Sequence, residues 1–328
     1  MSRALNPLLA VLVLVLFVVS LLVGPAHLGI MESLRGFMAG GSEATAIILR
    51  DIRLPRALLG LLTGASLGLS GAVLQGLLRN PLADPGLIGV SATASLGAVV
   101  VFYSGLAGLS TLLLPLGALL GGAVAVVILL AVAGRGNSTL TLILAGVALS
   151  SLAGALISLA LNLSRNPFAA YEISFWLLGS LKDRSMAHVY MVAPLMLAGF
   201  GLMALAARAL DALSLGEEAA HSLGVDLKRL RLLVIGGVAL ATGAATAVTG
   251  MIGFIGLVVP HLVRPFTRGL PSAVLLPSAL GGAALLLAAD SFTRLVTTNV
   301  ELNVGVVTAL IGAPFFFWLV FRTEGEAA

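Results

Sequence analysis

The chain has 328 residues, of which 59% are hydrophobic and only 10% are charged, and its mean hydropathy is +1.13. Apolar runs such as 8–24 and 140–161 exceed what a soluble core needs, so the composition excludes an ordinary soluble protein and indicates one that crosses a membrane. The chain contains no cysteine, which excludes disulfides, thiol catalysis and thiolate metal sites. The formal net charge of +4 fits basic residues that flank membrane spans better than nucleic-acid binding.

The apolar runs are continuous rather than alternating, which predicts an all-α polytopic membrane protein. In lipid every backbone polar group needs an internal partner, so only helices and closed barrels cross, and barrel strands would alternate. The first run is interpreted as a retained span, because it lacks the small-residue cleavage site of a signal peptide. In chain order, the about ten predicted spans are 7–27, 55–78, 87–105, 110–133, 139–163, 187–207, 230–249, 253–266, 271–294 and 304–321.

Shorter features lie within and between these spans. The sequence FWLLGS (175–180) is too brief to cross and favours an interfacial or re-entrant half-helix. A row of glycines in the second span predicts close approach of helix backbones. Its members are Gly64, Gly68, Gly71 and Gly76. No domain boundary is visible, so residues 1–328 are interpreted as one transmembrane domain.

The distribution of basic residues predicts the orientation. An N-terminus in the cytoplasm puts a narrow majority of the 18 Lys and Arg residues inside, and with about ten spans both termini then lie on that side. The bias is weak because RDIRLPR (50–56) concentrates arginines at one outer helix mouth. These arginines are either interfacial anchors with Asp51 as counter-ion or a docking surface for an acidic partner.

The stretch LSLGEEAAHSLGVDLKRLR (213–231) holds seven ionisable side chains within nineteen positions of a chain that is otherwise strongly apolar. Ser214 and Glu217 have the spacing of a capping box and Gly224 is a suitable stop, so a short helix is predicted. Its apolar arc would comprise Leu215, Ala219, Ala220 and Leu223, and its polar arc Glu217, Glu218 and His221. Helices that lie on lipid headgroups usually carry Lys or Arg on the polar face, whereas this face is acidic, which favours a protein partner.

Several motifs resemble one family over nearly the whole chain. They are RLPR (53–56), SGAVLQGLLRNPLADPGLIGVSATASLGA (70–98), LILAGVALSS (142–151), FWLLGS (175–180), the stretch from 213, GFIGLVVPHLVRPF (253–266) and ELNVGVVTALIGAPFFFWLV (301–320). They are similar to the iron-chelate and cobalamin uptake permeases of the FecCD family, the membrane subunits of type II ABC importers.

The resemblance implies ten helices per subunit, a homodimer with the transport path at its interface, two cytoplasmic ATPase subunits and a periplasmic substrate-binding protein. It also implies the bacterial inner membrane. The chain holds no G-x-x-x-x-G-K-[ST] phosphate loop, so ATP and Mg would be used by the partner ATPase and no cofactor is expected here. The chain is therefore expected to be a transport subunit rather than an enzyme.

The resemblance also implies roles for individual residues. ATPase coupling, through a coupling helix at about 213–226, would involve Leu215, Gly216, Glu217, Glu218, Ala219, Leu223 and Gly224. Ser138 and Thr139 in GRGNSTLT (134–141) would form the cytoplasmic gate, although either could also cap the fifth helix. Arg53, Arg56 and Arg294 would dock the binding protein, although Arg294 could instead serve Asp290 four residues earlier.

Two other function classes are disfavoured by the residues. An ion-coupled transporter needs titratable groups near mid-membrane, and the spans carry few. An intramembrane enzyme or metal site needs a constellation, and His261 stands alone beside Pro260, which favours a packing role over a haem or metal role. Family frequency favours a ferric siderophore or haem as cargo, with cobalamin or an oxyanion as the alternative.

Overall fold

The computed structural model describes residues 2–24, 43–134, 139–164, 167–267, 269–296 and 302–327, and within these ranges the regular structure is entirely helical. The helices are α1 (Ser2–Leu22), α2 (Glu43–Ile47), α3 (Leu54–Leu78), α4 (Val90–Tyr103), α5 (Leu113–Gly134), α6 (Thr139–Leu163), α7 (Pro167–Leu177), α8 (Met186–Leu213), α9 (Glu217–Ser222), α10 (Leu227–Thr249), α11 (Ile255–Val263), α12 (Pro271–Val296) and α13 (Val304–Ala327).

Each of the predicted spans coincides with an apolar helix in the described residues. Seven helices are long and apolar enough to cross a membrane, and three shorter apolar helices, at 90–103, 255–266 and 304–319, match the remaining predictions. The main differences lie at helix ends. The second span is continued backwards by a π-helical segment, Ile48–Arg53, so that helical structure extends from 44 to 78. Helix α8 runs to Leu213 instead of ending near 207.

Helix α3 lies at the centre of the bundle and packs against α8, α10, α11 and α12. Its closest contacts are made through glycines, because a Cβ atom at Gly64 or Gly71 would overlap the carbonyl oxygen of Gly282 or Gly256, respectively. A Cβ atom at Gly76 would lie 3.5 Å from its nearest neighbours, which is an ordinary contact. The predicted close approach is therefore confirmed at Gly64, Gly68 and Gly71, whereas glycine is not required at Gly76.

The half-helix predicted at 175–180 is helical only over 175–177, the last residues of α7, which has 11 residues and is too short to cross the bilayer. The turn after it is held between two other helices. Ser180 N donates to Thr249 O (2.7 Å) at the end of α10, and Gly305 N donates to Gly179 O (3.1 Å) at the start of α13. Gly179 has φ = +74°, and a Cβ there would overlap Met251 O, so this junction requires glycine.

The C-terminal end of α1 is held by two arginine side chains from other helices. Arg53 Nη1 donates to Leu21 O (2.9 Å) and Leu22 O (2.7 Å). Arg294 Nη1 donates to Ser20 O (2.8 Å) and Val23 O (2.7 Å). The last carbonyls of a helix have no partner within the helix, so these guanidinium groups satisfy acceptors that lipid could not. Helix α1 packs mainly on α12 and is otherwise little buried, so the position of its C-terminal end depends on these bonds.

Asp290 neutralises this arginine cluster. Its carboxylate is 1% exposed and accepts from Arg56 Nε (3.0 Å), with Arg56 Nη2 at 2.9 Å and Arg294 Nη2 at 3.0 Å. The predicted pairing of Asp290 with Arg294 is confirmed, and Arg56 from α3 is a second cation on the same carboxylate. Arg53, Arg56, Asp290 and Arg294 join α1, α3 and α12, and we name them the outer cluster because the sequence predicts that this end of the bundle faces outwards.

We expect Asp290→Asn to lower the stability of the purified permease by about 3–5 kcal/mol, because two buried cations would lose their shared counter-ion. The change would be measured as a lower thermal unfolding midpoint in detergent. The matched control is Asp211→Asn, since the Asp211 carboxylate accepts from Ser272 N (2.8 Å) and an amide oxygen can replace that bond. Equal losses in the two variants would contradict a special role for the outer cluster.

Candidate functional site

The coupling segment, residues 213–226, begins with a turn that differs from the predicted capping box. Ser214 has helical φ and ψ (−61°, −22°), and its hydroxyl donates back to Asp211 O (2.6 Å) at the end of α8. An N-cap residue needs extended backbone to reach the amides ahead of it, so Ser214 does not cap α9. Gly216, with φ = +110°, makes the turn instead and precedes α9 directly. The capping-box prediction is therefore wrong.

Helix α9 is fixed to the bundle on one side only. Ala220 is fully buried, and α9 packs against α8 and α10. Arg231 Nη2 lies 3.3 Å from Glu217 Oε1, which ties the start of α9 to α10. Gly224 (φ = +82°) ends the helix, and the amide of the next residue, Val225, donates to Ala220 O (3.0 Å). The predicted stop at Gly224 is confirmed, although α9 is shorter than predicted.

The apolar arc predicted for this helix does not face the bundle as a unit. Leu215 and Leu223 are 69% and 65% exposed, and Ala219 is half-buried beside them. Glu218 and His221 are exposed on the same protrusion. The two exposed leucines flank a short helix that is anchored to the bundle and carries exposed charged residues, and together they form a surface suited to a protein partner. The predicted coupling residues all lie in this turn–helix–turn unit.

The structure brings the three arginines predicted to dock a binding protein to the same end of the bundle. Arg53 is 4% exposed and the side chain of Arg294 is 3% exposed, since both are used to hold α1. Arg56 has a side chain that is 12% exposed and lines an open cavity of about 440 Å³. Its counter-ion is Asp290 rather than the predicted Asp51, which lines the same cavity. Only Arg56 of the three is therefore placed at this outer surface.

The residues Lys182, Asp183 and Arg184 add further charge at the outer end. They line both the Arg56 cavity and a second cavity of about 520 Å³ next to it, where Tyr171 and Phe175 stack with ring centroids 6.0 Å apart. Arg184 Nε donates to Val248 O, and burial lowers the pKa of Arg184 below its usual value. Sequence reasoning did not assign these residues a role, although three consecutive charges directly after a half-helix were a usable signal.

The predicted gate residue Ser138 lies outside the described residues, and Thr139 is the first residue of α6, with its side chain also outside the description.

The loop formed by residues 79–89 lies close to α6. Asp84 Oδ1 accepts from Gly86 N (2.8 Å), and burial raises the pKa of Asp84. A Cβ at Gly146 on α6 would overlap Leu87 O, so this loop lies directly against α6.

Helix α6 exposes two neighbouring faces of different character. One carries Leu152, Leu156 and Leu159, which are 40–58% exposed and suit lipid. The other, at spacings of three and four residues, carries exposed small and polar side chains. They are Ala148, Ser151, Ala155, Ser158 and Asn162. Polar side chains facing lipid are unfavourable, so this second face suits water or another protein chain.

His261 packs among aromatic rings of α13. Its ring lies edge-on to Phe315 and Trp318, with centroids 5.7 and 6.5 Å away, in line with the packing role favoured from the sequence. Within the described ranges no group of three or more His, Cys, Asp or Glu side chains is arranged to hold a metal ion.

The chain matches the model of the FecCD transport family over residues 12–322. It is 39% identical to the hemin transport system permease protein HmuU of Yersinia pestis, with 99% of each chain covered. It is 42% identical to the cobalamin import system permease protein BtuC of Halobacterium salinarum, covering 88% of this chain and 77% of that one. It is 41% identical to the Fe(3+) dicitrate transport system permease protein FecD of Escherichia coli, covering 84% and 85%.

Structural comparison agrees with the sequence relatives. A solved metal-chelate type ABC transporter in an inward-facing conformation superposes with a TM-score of 0.85 at 32% identity, covering 98% of this chain and 99% of that one. The family model spans nearly the whole chain, and the hemin permease aligns over 99% of each chain. The chain therefore belongs to the FecCD transport family of ABC importer permeases.

Proposed function

We propose that this chain is the permease subunit of an ATP-driven importer that moves an iron chelate, a ferric siderophore or haem, from periplasm to cytoplasm. The observation that carries the proposal is the coupling segment, where the exposed Leu215 and Leu223 lie on either side of helix α9, which packs against α8 and α10. A transporter driven by its own ion gradient has no need of such a docking surface. Relatives named for hemin and iron citrate support the choice of cargo, and those named for cobalamin make it the second candidate.

The energy for transport is proposed to come from two separate cytoplasmic ATPase subunits, which bind ATP and Mg. The chain contains no phosphate-binding loop of its own and is expected to bind no cofactor. Residues 213–226 would sit in a groove of the ATPase, and movement of that groove would pass to α8 and α10 through Ala220 and the Glu217–Arg231 pair.

A homodimer is proposed to form the transport path between two copies of this chain. The polar face of α6, with Ser151, Ser158 and Asn162, would line the path, because it is exposed in the single chain and unsuited to lipid. Few charges occur in the spans, which fits passage of a bulky chelate without tight binding. Ser138 and Thr139 remain the proposed inner gate of this path.

A periplasmic substrate-binding protein is proposed to dock at the outer end, with the permease in the inner membrane and both termini in the cytoplasm. Arg56 is the arginine best placed for direct contact, because it faces the outer cavity beside Lys182 and Asp183. Arg53 and Arg294 would support the surface from beneath by holding α1 and Asp290.

Reconstitution tests the function directly. Proteoliposomes that contain the permease with its ATPase and binding protein should take up haem or ferric siderophore only when ATP is present. Cobalamin uptake under the same conditions would identify the second candidate. Uptake driven by an ion gradient without ATPase subunits would contradict the proposal.

The double variant Leu215→Asp/Leu223→Asp should abolish ATPase binding while leaving the permease folded, because both side chains are exposed and would be buried in the complex. Losing two buried leucines should cost about 3 kcal/mol or more, over a hundredfold in affinity. Binding would be measured with purified subunits in detergent. The control Leu215→Met/Leu223→Met keeps volume and apolar character and should bind normally. Normal binding by the aspartate variant would exclude this surface.

Arg56→Glu should weaken docking of the binding protein on the order of 30-fold, as expected when one side of a desolvated arginine–carboxylate pair is lost. Affinity would be measured with immobilised permease. Because Arg56 also neutralises Asp290, loss of docking alone could reflect structural damage. An acidic-to-Arg change on the binding protein should therefore partly restore affinity, which a structural effect would not allow. Unchanged docking by Arg56→Glu at low salt would exclude this contact.

A further inference from the structure

A polar cavity lies at the end of the bundle opposite the outer cluster, where α3 and α8 end and α12 begins. Its volume is about 220 Å³. Its polar lining residues are Gln75, Arg79, Ser214 and Arg264, and the remaining wall comes from small or apolar residues such as Pro271. Arg79 and Ser214 are exposed, so the cavity opens at the surface that carries the coupling segment. We name it the Arg264 cavity.

The Arg264 side chain is only partly used by the protein. Its Nη2 donates to Gln75 Oε1 (2.7 Å), whereas its Nε is buried and has no hydrogen-bond partner among the described residues. Gln75 is held in turn, since its Nε2 lies 3.3 Å from Gly256 O and 3.4 Å from Ala83 O. A buried guanidinium donor without an acceptor is unfavourable, so Arg264 is fixed in place with donor capacity that the described chain leaves unsatisfied.

The charge of the cavity is not balanced by its own walls. Two arginines line it and no acidic residue does, and neither Arg79 nor Arg264 has an ion pair within the described part of the chain. The nearby carboxylate of Asp211 accepts from Ser272 N (2.8 Å) at the start of α12. An anion in the cavity would supply the missing counter-charge.

The surface beside the cavity is apolar. Leu262 at the end of α11 and Phe266 just after it are 53% and 46% exposed, and Leu270 and Leu276 around the start of α12 are 49% and 54% exposed. In a membrane-spanning bundle such side chains face acyl chains. The protein therefore places two arginines where an apolar surface ends, which is the arrangement expected at the level of lipid headgroups.

We propose that the Arg264 cavity binds the headgroup phosphate of an anionic phospholipid, with the guanidinium groups of Arg264 and Arg79 as donors and the acyl chains along Leu262 and Phe266. Arginine guanidinium groups present several hydrogen-bond donors and a positive charge, which match the oxygens and the negative charge of a phosphate. Lipid binding does not depend on the proposed transport function. Under the proposed orientation of the permease, the bound lipid would belong to the cytoplasmic leaflet.

The test uses delipidated full-length permease in detergent, titrated with phosphatidylglycerol, with phosphatidylcholine and with inorganic phosphate. Binding would be followed by native mass spectrometry and by the thermal unfolding midpoint. Phosphatidylglycerol should bind and raise the midpoint, phosphatidylcholine should bind at least fivefold more weakly, and millimolar inorganic phosphate should compete only weakly. Arg79→Gln should reduce phosphatidylglycerol affinity about fivefold, as expected for one interfacial arginine.

Matched variants distinguish lipid binding in the cavity from nonspecific attraction of lipid to surface charge. Arg229→Gln removes an exposed arginine at the same end of the bundle but outside the cavity, and it should bind phosphatidylglycerol normally. Arg264→Lys keeps the charge but removes the Nε donor and should weaken binding. If Arg264→Lys does not fold, Arg79→Gln against Arg229→Gln decides. Equal binding of the two lipids, equal loss in both glutamine variants, or phosphate binding without any lipid preference would each overturn the proposal.

Discussion

The backbones of α3 and α12 touch at Gly64 and Gly282, and the rest of the bundle is arranged around that contact. A Cβ on either glycine would overlap the facing carbonyl oxygen, and Gly71 makes a similar contact with Gly256 at the start of α11. Lipid provides no hydrophobic force that pushes apolar helices together, so their association depends on close packing of this kind. Because α3 approaches its neighbours so closely, its two ends are held in a defined relation to α8, α11 and α12, and both candidate functional surfaces lie at those ends.

The outer cluster shows how an apolar protein uses several arginines within its own structure. Arg53 and Arg294 donate to the last carbonyls of α1, which has little buried surface of its own, and Asp290 neutralises Arg294 and Arg56 together. The charges are therefore used first within the chain. Of the three arginines, Arg56 alone lines the outer cavity, so the proposed contact with a binding protein would lie next to the bonds that hold α1.

The opposite end combines a rigid anchor with exposed apolar side chains. Helix α9 is fixed by Ala220 and by the Glu217–Arg231 pair, whereas Leu215 and Leu223 remain uncovered in the single chain. Under the proposed function, an anchored helix would pass a partner's movement to α8 and α10, whereas a flexible loop would absorb it. Ser214 belongs both to this segment and to the wall of the Arg264 cavity, so a bound lipid and a docked ATPase subunit would contact adjacent parts of the same turn.

The sequence by itself determined the membrane spans and the contacts made within one helix. Continuous apolar runs predicted every span because hydropathy is a property of single segments, and the spacing of Asp290 and Arg294 predicted their pairing because four residues make one helical turn. Contacts between distant segments were decided by the tertiary structure alone. Arg56 meets Asp290 across 234 residues and Arg264 meets Gln75 across 189, and no local pattern encodes such distances. The capping-box prediction was wrong for the same reason. Helix α8 extends to Leu213, so Ser214 keeps a helical backbone conformation and Gly216 forms the turn before α9. Local periodicity specifies which residues are helical, whereas the side chains that remain exposed depend on which helices pack together.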